Sequence, residues 1–371
     1  MTPRQRMLSA VQGGDVDRVP LHLPGFTFRD AGEIDALDNP RRREIAARYF
    51  PHSCYEITVP SQANRYLVTP EYRIRRRTEE LGGGASRLTG EIDTPGGALT
   101  FVKEFNPAEQ TWWNAKYPVE TMDDIAKIRS VPWEVPEDIR IPDRHDLPAD
   151  FHQRGILATR ISSPVVCVAG MMSYQWFLEL CLTEKTLITE LTEICRLRIL
   201  DLLEALFKDG GIEYVWMGGS EWVTPPMASP ETYDALVQEQ ERSLIAAIHD
   251  RGDIPVHVHC HGQVRHALPR TIERGADYTE PVEPPPDGDI TLKEAKQLAA
   301  GRISLGGNVE CRVLCNGSAD DTEAATRAAF EGGKSRFVLR PTEGPTPALP
   351  EREYMNYLRL IDVWEELSPI D

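Results

Sequence analysis

From residue 154 onward the chain alternates between short β-branched runs and longer amphipathic stretches, and no other feature limits its fold as tightly. Strands that alternate with helices build a parallel sheet, because each parallel neighbour needs a crossover long enough to carry a helix. The runs lie at 155–162, 214–222, 254–262, 276–283, 303–310 and 336–344, and two earlier candidates at 19–23 and 54–60 bring the count to eight. Eight such units predict an α/β fold of the (β/α)8 TIM-barrel type, one domain over residues 1–371. An N-terminal helical extension is expected at 3–13, where Met7, Leu8 and Val11 recur at helical spacing before Gly13 and Gly14 stop it. Between 66 and 105, short alternating runs broken by glycines 82–84 and by Pro95, Gly96 and Gly97 read as a β-hairpin insertion. Residues 132–153, rich in Pro, Asp and His, read as an irregular crossing loop.

Composition removes several function classes. A formal charge of −17 argues against a nucleic-acid partner, since backbone neutralisation needs an excess of Lys and Arg. The basic runs Arg41 to Arg43 and Arg75 to Arg77 sit beside carboxylates and read as solvated faces. The seven cysteines form an odd set without disulfide-framework spacing, the N-terminus lacks an apolar signal core, and no run reaches the ~18 apolar residues of a membrane span. A cytoplasmic protein without a membrane partner is expected. Neither a G-x-G-x-x-G nor a P-loop fingerprint follows any predicted strand, so the usual signs of dinucleotide or ATP binding are missing.

In such a barrel the active site lies at the C-terminal ends of the strands. Reading each strand to its end places Arg160, Glu221, His259, His261, Glu280, Glu283, Asn308, Glu310 and Glu343 on one rim, more carboxylate and imidazole than packing requires. The strongest local signal is HVHCHG at 257–262. Strand alternation sends His257, His259 and His261 to one face and Val258 and Cys260 to the other. Imidazoles about 7 Å apart along a strand can converge on one divalent cation. A hydrogen-bonded core histidine is the competing reading. By the same parity Cys260 faces the helix layer and acts as a small apolar residue. Cys311 and Cys315 could pair on a metal if their segment is helical, and an ordinary buried turn explains them equally well.

Over nearly its whole length the chain resembles the uroporphyrinogen decarboxylase superfamily, which includes zinc-dependent corrinoid methyltransferases. The resemblance is carried by DVDRVPLHLP, IDTPGGALTF followed by WWNAKYPVETMDDIAKI, HVHCHG, GAD, GGNVE and RFVLRPTEGP, in that order. It implies the same barrel. True uroporphyrinogen decarboxylases carry an arginine-containing N-terminal motif for the porphyrin propionates; here LPGFTFRDAGE leaves only Arg29, which speaks against a tetrapyrrole substrate. The methyltransferase branch has His-x-Cys before a glycine and a later cysteine after the last strand. Laid on Gly262, that motif puts His259 on its histidine and His261 on its cysteine, and Glu343 falls where the late cysteine stands. The superfamily is also structurally akin to cobalamin-independent methionine synthase, and Glu283 lies near where that enzyme places a glutamate.

The resemblance therefore implies a metal-dependent methyltransferase moving a methyl group between a corrinoid or tetrahydrofolate carrier and a small acceptor. The metal ligands would be His259, His261 and Glu343, with Glu283 or Glu221 assisting. Zinc is the expected cation, although a nitrogen and oxygen ligand set also suits iron, manganese or cobalt. Asn308 and Arg160 would orient polar groups of the substrate, and Trp216 and Trp222 could flank a planar cofactor, core packing being the alternative for each. A small-molecule substrate, a corrinoid protein and a homodimer are the expected partners. Two other readings remain at this point: a metal-dependent decarboxylase or lyase acting on a small carboxylic acid, and a non-catalytic corrinoid-binding protein.

Overall fold

The computed structural model of the chain describes residues 1–137 and 139–370. At its centre seven parallel strands run in the order β1 (Tyr55–Pro60), β6 (Gly155–Ser162), β7 (Tyr214–Gly218), β8 (Val256–His259), β9 (Tyr278–Glu280), β10 (Ser304–Val309) and β11 (Phe337–Pro341). The sheet curls on itself. Residues 19–23 lie beside β11, where Leu21 bridges Leu339, and His22 from that segment lines the same cavity as Tyr55 of β1. The eighth strand expected at 19–23 is thus reduced to a single bridge. Pro20 accepts from the Leu339 N–H but has no N–H to return, and Pro24 ends the run.

Alternation sorts the strand residues into two cores. Val256 and Val258 pack outward with the helices, in the cluster that also holds Leu191, Ile199 and Leu202 of the helix Lys185–Phe207. A second cluster fills the N-terminal end of the curled sheet with Ile156, Ala158, Tyr214, Tyr278 and Val338. Ala10 and Val11 of the helix Pro3–Gln12 complete it, so the expected N-terminal extension closes the floor. That helix is stopped at both ends by its own sequence. Thr2 and Gln5 form a reciprocal capping box, and Gly13 takes φ 79° at the other end, a left-handed conformation that suits glycine. Ser304 Oγ donates to Ala10 O at 2.8 Å, and Arg4 grips Glu213 at 2.6 and 2.9 Å.

The insertion is larger than the hairpins expected at 66–105. It is a four-stranded antiparallel sheet, β2 (Ile74–Gly82), β3 (Ala85–Ile92), β4 (Leu99–Asn106) and β5 (Thr111–Lys116). Residues 71–73 form a 3-10 turn ahead of it, and the last strand, TWWNAK, extends it to Lys116. The segment 132–153 is irregular apart from short turns at Arg144–Asp146 and Phe151–Arg154, with Asp138 outside the described residues. No described helix is long and apolar enough to cross a membrane.

Several strands stop earlier than their sequence runs. The run 214–222 ends at Gly218; Gly219 follows at φ 115° and opens the turn Ser220–Val223, so Glu221 and Trp222 sit on a turn. β8 ends at His259 and β9 at Glu280, which leaves His261 and Glu283 in the loops beyond. β11 ends at Pro341, and Glu343 occupies the loop after it.

Candidate active site

Glu280, at the end of β9, organises the mouth of the barrel. It is 1% exposed, and an isolated carboxylate at that depth would be strongly disfavoured. Three neighbours answer it. Its Oε1 lies 2.8 Å from His257 Nε2 and 2.8 Å from His259 Nδ1, both from β8, while Oε2 pairs with Arg340 of β11. Burial works against the charged carboxylate, yet Arg340 and the two imidazoles hold Glu280 well below the usual carboxylate range. His257 extends the chain of contacts to Tyr214, whose hydroxyl is 2.8 Å from its Nδ1. Burial lowers the pKa of His257, and it lowers that of His22 to about 3, with Arg340 adding to the second effect. Gly306 of β10 makes room for this network, because a Cβ there would stand 2.0 Å from the Tyr278 hydroxyl and 2.7 Å from Glu280 Cβ.

His261 belongs to a second carboxylate pair one step further out. Its Nδ1 is 2.9 Å from Glu283 Oε1, and the Gly262 N–H donates to Glu283 Oε2 at 2.6 Å. Both oxygens of Glu283 are therefore engaged in holding the HVHCHG strand end. The His261 Nε2 faces Glu343 Oε1 at 3.4 Å. Burial opposes a charge on His261, but Glu283 and then Glu343 raise its pKa above the ordinary value. The His259 and His261 rings lie 4.6 Å apart, centroid to centroid, at 82°.

The two imidazoles thus share one pattern: Nδ1 is committed to a carboxylate, and Nε2 is left as the donor a cation would use. This is how metal-binding histidines are commonly oriented. Among the described residues no three His, Cys, Asp or Glu side chains already converge as a ligand set. The structure supplies two oriented imidazoles and the exposed Glu343 carboxylate, and their second-row partners suit a cation.

A cavity of about 590 Å3 opens beside these groups, lined among others by His22, Arg160, Trp216, His257, His259 and Arg340. Arg160 stands at its wall, 3.1 Å from Glu56 and over the Trp216 ring at 5.5 Å. Trp216 in turn lies against His259, with ring centroids 5.2 Å apart. Asn308 is buried and shares the inward parity of Ser304 and Gly306. Glu221 accepts the N–H of Gly219 at 2.9 Å and closes its own turn, outside the cavity lining. Trp222 lines a separate pocket, so the two tryptophans do not face each other across one ligand. Cys260 is buried against Val264, Ala267 and Leu268 of the helix Val264–Arg274, on the side that parity predicted, and burial pushes its thiol up to about 12. Cys311 and Cys315 do lie on one helix, with sulfurs 3.6 Å apart.

The residues that sequence reasoning left without a role are Glu280, Arg340 and Tyr214. Glu280 was visible only as one rim carboxylate among several. Its importance comes from β8 and β11 flanking β9 and β10, a register that no local pattern encodes.

The chain belongs to the uroporphyrinogen decarboxylase (URO-D) family, whose model matches residues 143–363. Among solved structures it is similar to a methyltransferase from Methanosarcina mazei, at 16% identity and a TM-score of 0.60 over 99% of each chain. That likeness shows a shared fold along the whole length. Two weaker likenesses are to a B12-independent methionine synthase from Shewanella (9% identity, TM-score 0.37, 57% of this chain and 62% of that one) and a putative one from Listeria monocytogenes (15%, 0.35, 57% and 64%). No curated protein matches it in sequence.

Proposed function

We propose that the chain is a metal-dependent methyltransferase that moves a methyl group between a corrinoid or tetrahydrofolate carrier and a small acceptor. The observation that carries this reading is the pair of carboxylate-backed imidazoles, His259 on Glu280 and His261 on Glu283, with rings 4.6 Å apart and His259 lining the cavity. His259, His261 and Glu343 would hold the cation, for which zinc suits two imidazoles and a carboxylate with a position left open. A cation so held would lower the pKa of a thiol or polarise a methyl donor or acceptor. The chain's own residues do the rest: Glu280 and Glu283 fix the ring orientations, Arg160 and Trp216 wall the cavity, and the Asn308 amide offers a donor and an acceptor within the barrel. The cavity's charges also speak against a polycarboxylate porphyrin. Arg160 is paired with Glu56 and Arg340 with Glu280, and of the cavity arginines only Arg29, among the described residues, has no carboxylate partner.

Protein purified without chelator should carry about one divalent cation per chain, as a single catalytic site with an open position holds. His259→Ala and His261→Ala should lose it, and Glu343→Gln should bind it more weakly with an unchanged fold. Metal retained by all three variants at the wild-type level would refute the ligand set. Arg29 at the cavity mouth favours one second reading, a decarboxylase or lyase acting on a small carboxylic acid. Release of CO2 from such an acid, without methyl transfer to any carrier, would establish it.

A further inference from the structure

A second pocket lies where the inserted sheet meets the barrel rim, and it shares no lining residue with the larger cavity. Its volume is about 300 Å3, near the lower end for small-molecule sites. Sheet register builds one wall. Arg76 of β2 opposes Gly90 of β3, Gly90 opposes Phe101 of β4, and Lys103 of β4 opposes both Leu88 and Asn114 of β5. Directly opposed residues share a face, so Arg76, Phe101, Lys103 and Asn114 all present to the pocket. Gly90 is required there: a Cβ would stand 2.0 Å from the Phe101 ring, which instead folds across the strand to meet Tyr66 at 4.9 Å between centroids.

The barrel side contributes Arg65 and Trp222. Arg65 fits closely over Gly170, where a Cβ would come within 2.5 Å of Arg65 Cβ, and its guanidinium lies 5.8 Å from the Trp222 ring centroid. Trp222 is itself held by Tyr174, which donates to its carbonyl at 2.7 Å and packs edge-on to its ring. Lys103 Nζ sits 5.9 Å from the centre of the Tyr66 ring.

Three cations therefore share this pocket, in a chain of net charge −17, and among the described residues no carboxylate lines it. Arg76 has a partner in Glu71 at 2.8 Å, but among the described residues neither Arg65 nor Lys103 has one. Burial first, and then the neighbouring Arg65 and Arg76, push the Lys103 pKa down, the response of an ammonium that is half buried beside like charge. Folding alone gains nothing from that crowding. We infer that this pocket binds a small aromatic anion, its flat ring against the half-buried Trp222 and its carboxylate or phosphate groups on Arg65, Lys103 and Arg76. A planar ring suits the Trp222 indole, and Arg65 offers a fork that can take an acidic group bidentately. The inference stands apart from the reaction in the larger cavity and does not depend on it.

Titration calorimetry on the full chain tests it with three probes: phthalate, neutral phthalamide and inorganic phosphate. Phthalate should bind about tenfold or more tighter than either of the others, the effect of one charge-assisted contact or of one stacked ring. Lys103→Met and Arg65→Gln should each weaken phthalate by about tenfold, and Lys103→Arg should restore it. Arg65 is exposed, so Arg65→Gln keeps the test alive if Lys103→Met fails to fold, which circular dichroism will show. Phthalamide or phosphate binding as tightly as phthalate would overturn the inference. So would phthalate affinity that falls in Arg160→Ala, within the larger cavity, and is untouched by Lys103→Met and Arg65→Gln.

Discussion

The barrel mouth and the pocket beside the inserted sheet treat charge in opposite ways. At the mouth Glu280 is met by Arg340, His257 and His259, Glu283 by His261, and Arg160 by Glu56. Beside the inserted sheet, Arg65 and Lys103 lie near one another and near Arg76, and among the described residues only Arg76 is answered. In the first arrangement each of these buried charges is answered from within the protein, which fixes the direction of each side chain. The second leaves Arg65 and Lys103 without a carboxylate partner among the described residues, and what they lack describes what the pocket would bind. A site for chemistry must be rigid before substrate arrives, whereas a site for an anion can leave the neutralising group to the ligand.

The largest expected effect comes from breaking the balanced side. Glu280→Ala would strand the buried Arg340 guanidinium without its partner, and removing one partner of a buried pair costs about 3–5 kcal/mol. Urea unfolding should show the midpoint falling with an unchanged slope; a loss under about 1 kcal/mol, the scale of a surface ion pair, would mean that Glu280 does not hold the network. Glu283→Gln should act on function more than on stability. Losing the carboxylate behind His261 should lower cation affinity by about 10–100-fold, read by competition with a chromophoric chelator. Wild-type affinity in that variant would remove Glu283 from the site.

Cys260→Ser should cost about 1 kcal/mol or less and leave bound metal unchanged, because its sulfur sits 3.4 Å from the Thr224 hydroxyl and faces away from the cavity. Metal loss in this variant would reverse the strand parity on which both sides of the comparison rest.

The smallest effect is on the unbalanced side and has the opposite sign. Lys103 has a folded pKa below its unfolded value, so between the two the unfolded chain binds more protons and stability rises with pH. Below both values the full penalty is present. Lys103→Met should therefore melt slightly higher than wild type at pH 7, and the gap should narrow as the pH rises through the lowered pKa toward 10.5. A variant that melts lower than wild type at pH 7 would show that the ammonium is already compensated.

Alternation in the sequence carried the site a long way. It placed His257 and His259 inward and Cys260 outward, because a period of two survives even in a strand as short as Val256–His259. It also found the segment 19–23, though not that Pro20 would limit it to one bridge. It misjudged where strands stop. The apolar and aromatic run through 222 looked continuous, but Gly219 adopts φ 115° and turns Glu221 and Trp222 out of the sheet. The role of Glu280 stayed hidden for a different reason. Its partners are His257, His259 and Arg340, which only the folded register brings together. The second pocket was hidden likewise, since the β3–β4 and β4–β5 pairings that align Phe101 with Gly90 and Lys103 with Asn114 cannot be read from either strand alone.

The helix that closes the barrel floor has a consequence for the order of assembly. Pro3–Gln12 is synthesised well before its seat, since one anchor is Ser304, 294 residues downstream of Ala10, and Val338 of β11 is later still. Contacts so distant in the chain form slowly, because most of the chain between them must be ordered first. During translation this helix must wait, its Ala10 and Val11 face uncovered, for the strands that complete its seat. A ribosome stalled before residue 304 would therefore hold a chain whose Pro3–Gln12 helix is still open to protease, and release past β11 would protect it.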